Sequence, residues 1–305
     1  MADINRSAIS LPTDVSAEIL QKTQDASAIM RLARKITLPG RGVTIPVITS
    51  DPTAGWVAET GSKPVSNSGL SSKVMTPYKL AVIETFSEEF TRDAKALYDA
   101  LIERLPGALA KAFDQTVIGA VNAPGENFDR FNACTTQSIL TVTGSHTTYE
   151  GLVAADADIA AHGGILNGFA LSPQARALLL GAVDSTGRPI FVNNVSEGAI
   201  PMILGANTYM NKGVYKAGVA PVGTGAGTPA IVGVAGDWSQ AVYGTVEGVK
   251  IKVSDSATVV SGTGTTATTI NLWQQNMVAV LAEIEVGFRA DTSCFNLLSG
   301  TTPAA

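Results

Sequence analysis

The sequence predicts an α+β protein, and three features support that class. Between residues 90 and 117 apolar side chains recur every three or four positions, at Phe90, Ala94, Leu97, Leu101, Leu105, Leu109, Phe113 and Val117, as a helix with one buried face requires. Val278, Val280, Ala282, Ile284, Val286 and Phe288 instead alternate without interruption, the period of a pleated strand. Elsewhere helix-like and strand-like segments are mixed, with no internal repeat of solenoid length.

Residues 10–35 open with Ser10-Leu11-Pro12-Thr13-Asp14, and Val15, Ile19, Leu20, Ile29 and Leu32 follow at roughly helical spacing. They read as an arm with one or two short helices, ended by Pro39-Gly40-Arg41-Gly42. Residues 43–48 alternate as a strand whose Pro46 suggests an exposed edge. Residues 49–72 are rich in Gly, Ser and Pro and hold Trp56, Glu59 and Lys63; a second strand is expected at 78–86. The two strands, with the long irregular stretch between them, predict a protruding hairpin.

Ser87 is expected to cap the long helix, with Glu88 and Glu89 on its positive end. At 1.5 Å per residue, about thirty-five residues would span about 50 Å. Pro106 removes one backbone hydrogen bond and crowds the preceding turn, which predicts a kink near 102–106. Beyond Pro124-Gly125 a helix is expected at 148–161. Another is expected from Ser172-Pro173 to 180, with proline at its first position. Strands are expected at 165–171, 231–235 and 241–246, and again where Val249, Ile251 and Val253 alternate with Lys250 and Lys252.

Lys250 and Lys252 share one strand face, as do Glu283 and Glu285 on another strand. If the strands pair antiparallel, the charges meet cross-strand, and Val249, Ile251 and Val253 join Ile284, Val286 and Phe288 against the long helix. The competing reading has the two acids facing an adjacent subunit.

Composition narrows the function. Charged residues are 15% of the chain, against about 25% in average usage, so much of the surface is not expected to face water. The net charge of −5 and the absence of a Lys/Arg run exclude a sequence-reading DNA-binding protein, while non-specific proximity to nucleic acid stays compatible. Cys134 and Cys294 form neither a disulfide framework nor a metal pattern, which fits a reducing compartment. The first residues lack the apolar core of a signal peptide. The uncharged stretches 217–236 and 256–282 are interrupted by Gly, Thr or Pro, so no membrane segment is expected.

Catalytic chemistry finds no support. His146 and His162 are the only histidines, which leaves a zinc site without ligands at a usable spacing. A Gly-x-Ser-x-Gly elbow is absent. Gly223-Thr224-Gly225-Ala226-Gly227 is followed by Thr228-Pro229 and a strand rather than by a helix, so it reads as a loop and not a phosphate cradle. Asp156 and Asp158, two apart on a helix, point to different faces. No catalytic, metal or cofactor residue is assigned and no cofactor is expected. A long hairpin, a long helix and a low-charge surface together point to extensive subunit contacts.

Several stretches resemble one family in order and spacing. Trp56-Val57-Ala58-Glu59, Lys79-Leu80-Ala81 and Phe86-Ser87-Glu88-Glu89-Phe90 with Asp93 come first, followed by Gly187-Arg188-Pro189-Ile190 and Leu204-Gly205. The strongest stretch runs from Val234-Ala235-Gly236-Asp237-Trp238-Ser239-Gln240-Ala241 and Gly248-Val249-Lys250-Ile251 through residues 271–279 to Glu283, Gly287-Phe288 and Phe295. Over nearly the whole chain this resembles the major capsid proteins of tailed bacteriophages with the Hong Kong 97-type fold.

The resemblance implies an N-terminal arm (1–38), an extended hairpin loop (39–85), a spine helix (86–122), an axial domain (123–248), peripheral-domain strands (249–298) and a tail (299–305). It implies pentamers and hexamers closing into an icosahedral shell around double-stranded DNA, assembled in the host bacterial cytoplasm. Portal and scaffold or protease proteins, and a possible decoration protein, are the implied partners. Trp56, Glu59, Lys63, Pro106, Gly236, Asp237 and Trp238 become the candidate interface residues. Some relatives cross-link through a lysine of the extended loop; Lys63 and Lys73 lie in that region, without a motif naming a partner. An encapsulin-like nanocompartment shell is the alternative.

Overall fold

The computed structural model describes residues 23, 26–50, 52–57, 59, 61–63, 65–66, 69–87, 94–142, 147–183, 188–191, 202–220, 227–262 and 267–300. The expected helix in 10–22, the first-turn acids Glu88 and Glu89, Phe90 and Asp93, His146, Gly187, nearly all of the glycine-rich loop at 223–227 and the tail from 301 lie outside them. In chain order the first elements are α1 (Ala28–Leu32), β1 (Arg34–Thr37), β2 (Val43–Ser50), β3 (Gly69–Met75), β4 (Tyr78–Ser87), α2 (Ala94–Val117) and β5 (Thr135–Ser138). Then come α3 (Thr148–Ala161), β6 (Gly168–Leu171), α4 (Pro173–Leu180), β7 (Met202–Ile203), β8 (Ala206–Met210), β9 (Ile231–Gly236) and β10 (Ala241–Thr245). The last are β11 (Lys250–Ser254), β12 (Thr258–Ser261), β13 (Thr268–Asn271), β14 (Met277–Ala290) and β15 (Phe295–Ser299).

The first sheet is built on β14. β4 pairs antiparallel with it from Met277 to Val286, β11 from Ala279 to Glu283 and β10 from Val286 to Ala290, with β1 added parallel to β10. Its alternation puts Val280, Ala282 and Ile284 against Val249, Ile251 and the α2 residues Leu105 and Leu109. Val286 and Phe288 also meet α2, as expected, but at Phe113 and apart from Val249 and Ile251. β14 is fourteen residues long and outruns the five-residue β11, so its distal half enters a second core with Phe113, Phe131 and Tyr243.

The second sheet has the order β5-β15-β9-β6-β8-β7. All residues of β6, β9 and β15 are buried, because both sheet faces are covered. Leu152, Ala155 and Ile159 of α3 and Ala175 and Leu179 of α4 pack on one face. On the other, Phe131 stacks on Phe295 with ring centroids 4.5 Å apart and meets Trp238 and Phe288 edge-on at 5.9 and 5.6 Å. This aromatic cluster joins the two sheets. The helices on the opposite face start where the side chains specify: Thr147 and Glu150 form a reciprocal capping box, and Ser172 caps α4 ahead of Pro173.

One expectation near the hairpin needs correction. β2 pairs with β3, with Val43 opposite Met75 and Pro46 opposite Ser72, and not with the strand at 78–86. That strand belongs to β14, so the hairpin closes earlier than its sequence suggested. Ser87 is the last residue of β4, opposite Met277, and residues 88–93, where the expected capped helix start falls, lie outside the described residues. The described helix α2 has 24 residues, which gives about 36 Å, and it runs through Pro106. At the hairpin base Gly42 has φ +83°, and a Cβ there would strike the Met75 carbonyl oxygen.

Candidate assembly surfaces

The hairpin is held at its base and bare at its tip. Met75 at the end of β3 is fully buried against Leu38 and Val242. Around it, Arg289 on β14 donates from Nε to the Val74 carbonyl at 2.7 Å, from Nη2 to Asn127 Oδ1 at 2.7 Å and from Nη1 to Asp129 Oδ1 at 2.8 Å. Lys73 Nζ donates to the Ala290 carbonyl at 2.8 Å and lies 3.7 Å from Asp129. The Ala290 amide donates to the other Asp129 oxygen at 3.1 Å. One arginine thus ties β3, β14 and the loop after α2 through a planar donor fork that lysine lacks.

Farther out, the chain contributes little to its own packing. The Thr53 amide donates to Ser66 Oγ at 2.8 Å across the tip, and Val57, Glu59, Lys63 and Val65 are exposed. Trp56 is 106% exposed. A bare indole on a rigidly based arm is an unusual use of the side chain that most often anchors interfaces.

Gly236, Asp237 and Trp238, expected at an interface, lie inside the subunit. Trp238 is 2% exposed, donates from Nε1 to the Gly168 carbonyl at 2.9 Å and packs on Phe131 and Phe295. A Cβ on Gly236 would collide with the Phe295 ring, which explains the glycine there. Asp237 caps the turn Trp238–Gln240, accepting from Ser239 Oγ at 2.7 Å, Asn167 Nδ2 at 2.8 Å and the Ile165 amide at 3.1 Å. Burial alone would raise its carboxyl, but these hydrogen bonds outweigh it and hold the group below the ordinary carboxylate value. The motif is structural because its indole fills the seam between the sheets.

The charged residues on β11 and β14 meet, with different partners. Lys250 stands opposite Glu283, but its Nζ lies 2.9 Å from Glu247, whose carboxylate raises the lysine above its usual value. Lys252 stands opposite Leu281 and reaches diagonally to Glu283 at 3.8 Å. Glu285 pairs with neither lysine; β4 places Lys79 opposite it, 3.7 Å away.

Three features carried no clear sequence signal. Trp273, 74% exposed, and Val260, 60% exposed, lie at the β12–β13 hairpin and the turn after it. The Arg289 fork is a lone arginine in an apolar strand. Asp114, fully buried on α2, accepts from Ser27 Oγ at 2.6 Å, the Ala28 amide at 3.1 Å and Asn211 Nδ2 at 2.7 Å, and burial pushes its carboxyl up to about 7. It joins α1, α2 and the turn after β8. Burial also raises both free thiols, Cys134 to about 12, which leaves them weakly reactive.

Comparisons with known proteins agree with this architecture. A model described as the phage capsid family matches residues 8–291. The probable major capsid protein gp17 of Mycobacterium phage L5 is 29% identical over 291 residues, 92% of this chain and 86% of that protein. The major capsid protein of Staphylococcus phage 80alpha is 22% identical over 93% of this chain and 83% of its own length. A solved structure from Mycobacterium phage Bobi superposes with a TM-score of 0.70 at 20% identity, covering 91% of each chain.

Proposed function

This chain belongs to the phage capsid family and has the Hong Kong 97-type capsid fold, and from that premise we propose that it assembles through pentamers and hexamers into a closed icosahedral shell around double-stranded phage DNA. The observation that carries the proposal is the hairpin. Its base is fixed by Arg289, Asp129 and Lys73, while its tip presents Trp56 to solvent, so its ordering energy is recovered only when another copy covers it. Trp56, with Glu59 and Lys63 beside it, is the interface anchor of this reading.

The shell forms in the host bacterial cytoplasm with a portal and a scaffold or protease protein, and decoration proteins can bind its outside. DNA is enclosed rather than read, which suits a net charge of −5. Pro106 in α2 gives the helix a point of bending, and bending there lets one sequence fit flat hexamers and curved pentamers. The related phage capsid proteins support this reading over a cargo-enclosing nanocompartment. Electron microscopy of the purified protein tests it: uniform closed shells are expected, and protein that remains monomeric at high concentration would overturn it.

A further inference from the structure

A cavity of about 260 Å³ opens beside α1 and β1, lined among others by Arg31, Arg34, Tyr209 and Trp238. Arg31 lies over the Tyr209 ring, 4.5 Å from its centroid. Among the described residues no carboxylate lines the cavity, and Asp237 next to it is already occupied by Ser239, Asn167 and Ile165. Among the described residues neither arginine has an ion-pair partner. The surrounding chain sharpens the imbalance: residues 26–50 hold Arg31, Arg34, Lys35 and Arg41 and no acid, in a chain of net charge −5.

Two exposed guanidinium groups without an ion pair among the described residues, one of them over the half-buried Tyr209 ring, fit an occupant with a carboxylate and a flat ring. This chain carries both within four residues: Trp56 is fully exposed, and Glu59 is exposed without an ion pair among the described residues. Because the tip is bare and the cavity open in the single chain, they do not fill one another within one copy. We propose that the Arg31/Arg34 cavity receives the hairpin tip of a second copy, Glu59 accepting from the guanidinium groups and Trp56 lying against Arg31 and Tyr209. The inference rests on the shell reading and names its receiving site. A nucleic-acid backbone is the less favoured occupant, because it asks for a row of cations rather than two at the mouth of a cavity beside an aromatic ring.

Charge exchange tests the proposal. Glu59→Arg and Arg34→Glu, each checked for a normal fold by circular dichroism, are expected to raise the concentration needed for shell formation at least about tenfold, as loss of one well-placed charge pair would. The double exchange is expected to restore assembly. In a second readout, Glu59→Cys combined with Arg34→Cys is expected to give covalent multimers on a denaturing gel after oxidation of assembled particles, while either single variant gives none. Shells that form normally from both charge variants, with no cross-link from the cysteine pair, overturn this inference and leave the shell reading intact. Normal shells that lose only their nucleic acid overturn it in favour of a phosphate site. If the wild-type chain forms no shells at all, both readings fail together.

Discussion

Arg289 and Asp129 are joined at 2.8 Å with side-chain exposures of 12% and 20%, and this pair decides where the hairpin can point. Asp129→Ala takes from the arginine fork its only charged acceptor of three, and the loss is expected to cost roughly 3 kcal/mol of stability. Arg289→Lys is expected to cost nearly as much, because a lysine cannot reach Val74, Asn127 and Asp129 together. Denaturant unfolding of the two variants checks both, and a lysine variant as stable as wild type would show that charge alone suffices.

Two tryptophans separate folding from assembly. Trp238→Ala empties the seam between the sheets and is expected to cost roughly 3–5 kcal/mol. Trp56→Ala is expected to change single-chain stability by less than about 0.5 kcal/mol while weakening assembly. Parallel thermal melts and assembly titrations distinguish them; normal shells from Trp56→Ala at normal concentration would remove its anchor role.

Asp114 makes stability depend on pH. Its folded pKa of about 7 lies above the ordinary 3.8, so the folded chain holds a proton that the unfolded chain has released between those values. Its contribution therefore falls as pH rises from about 4 to about 7 and is flat above. Asp114→Asn keeps an acceptor for the Ala28 amide without the charge. The variant is expected to gain on wild type across that window and to show no further gain above it; equal pH profiles for the two proteins would mean that Asp114 stays charged when buried.

Pro106 predicts a difference between copies. The curvature of α2 near 102–106 is expected to differ between pentameric and hexameric subunits, read from a reconstruction that resolves both. Identical curvature in every copy would leave the proline as a fixed bend.

The strands legible in sequence were of two kinds, those that alternate and short apolar runs such as β6, β9 and β10, whose residues are all buried. Val249, Ile251 and Val253 against Lys250 and Lys252 announce β11 because its sheet is covered on one side there. β15 and β5 gave no comparable signal: Phe295-Asn296-Leu297-Leu298-Ser299 is buried on both faces and has no alternation to read. β3 was hidden for the opposite reason, since Gly69-Leu70-Ser71-Ser72 looks like loop and becomes strand only by pairing with β2. Trp56 and Trp238 have similar local sequence surroundings of Gly and Ala, and only the fold puts one in solvent and the other in the core. The cavity at Arg31 and Arg34 was beyond sequence reach because Tyr209 and Trp238 come from distant parts of the chain.

The account turns on one copy's hairpin being completed by another, and a reconstruction of the assembled shell measures that directly. It is expected to show Trp56, fully exposed in the single chain, buried against a neighbouring subunit in every capsomer position. A shell in which Trp56 stays solvent-exposed in all copies would contradict the account.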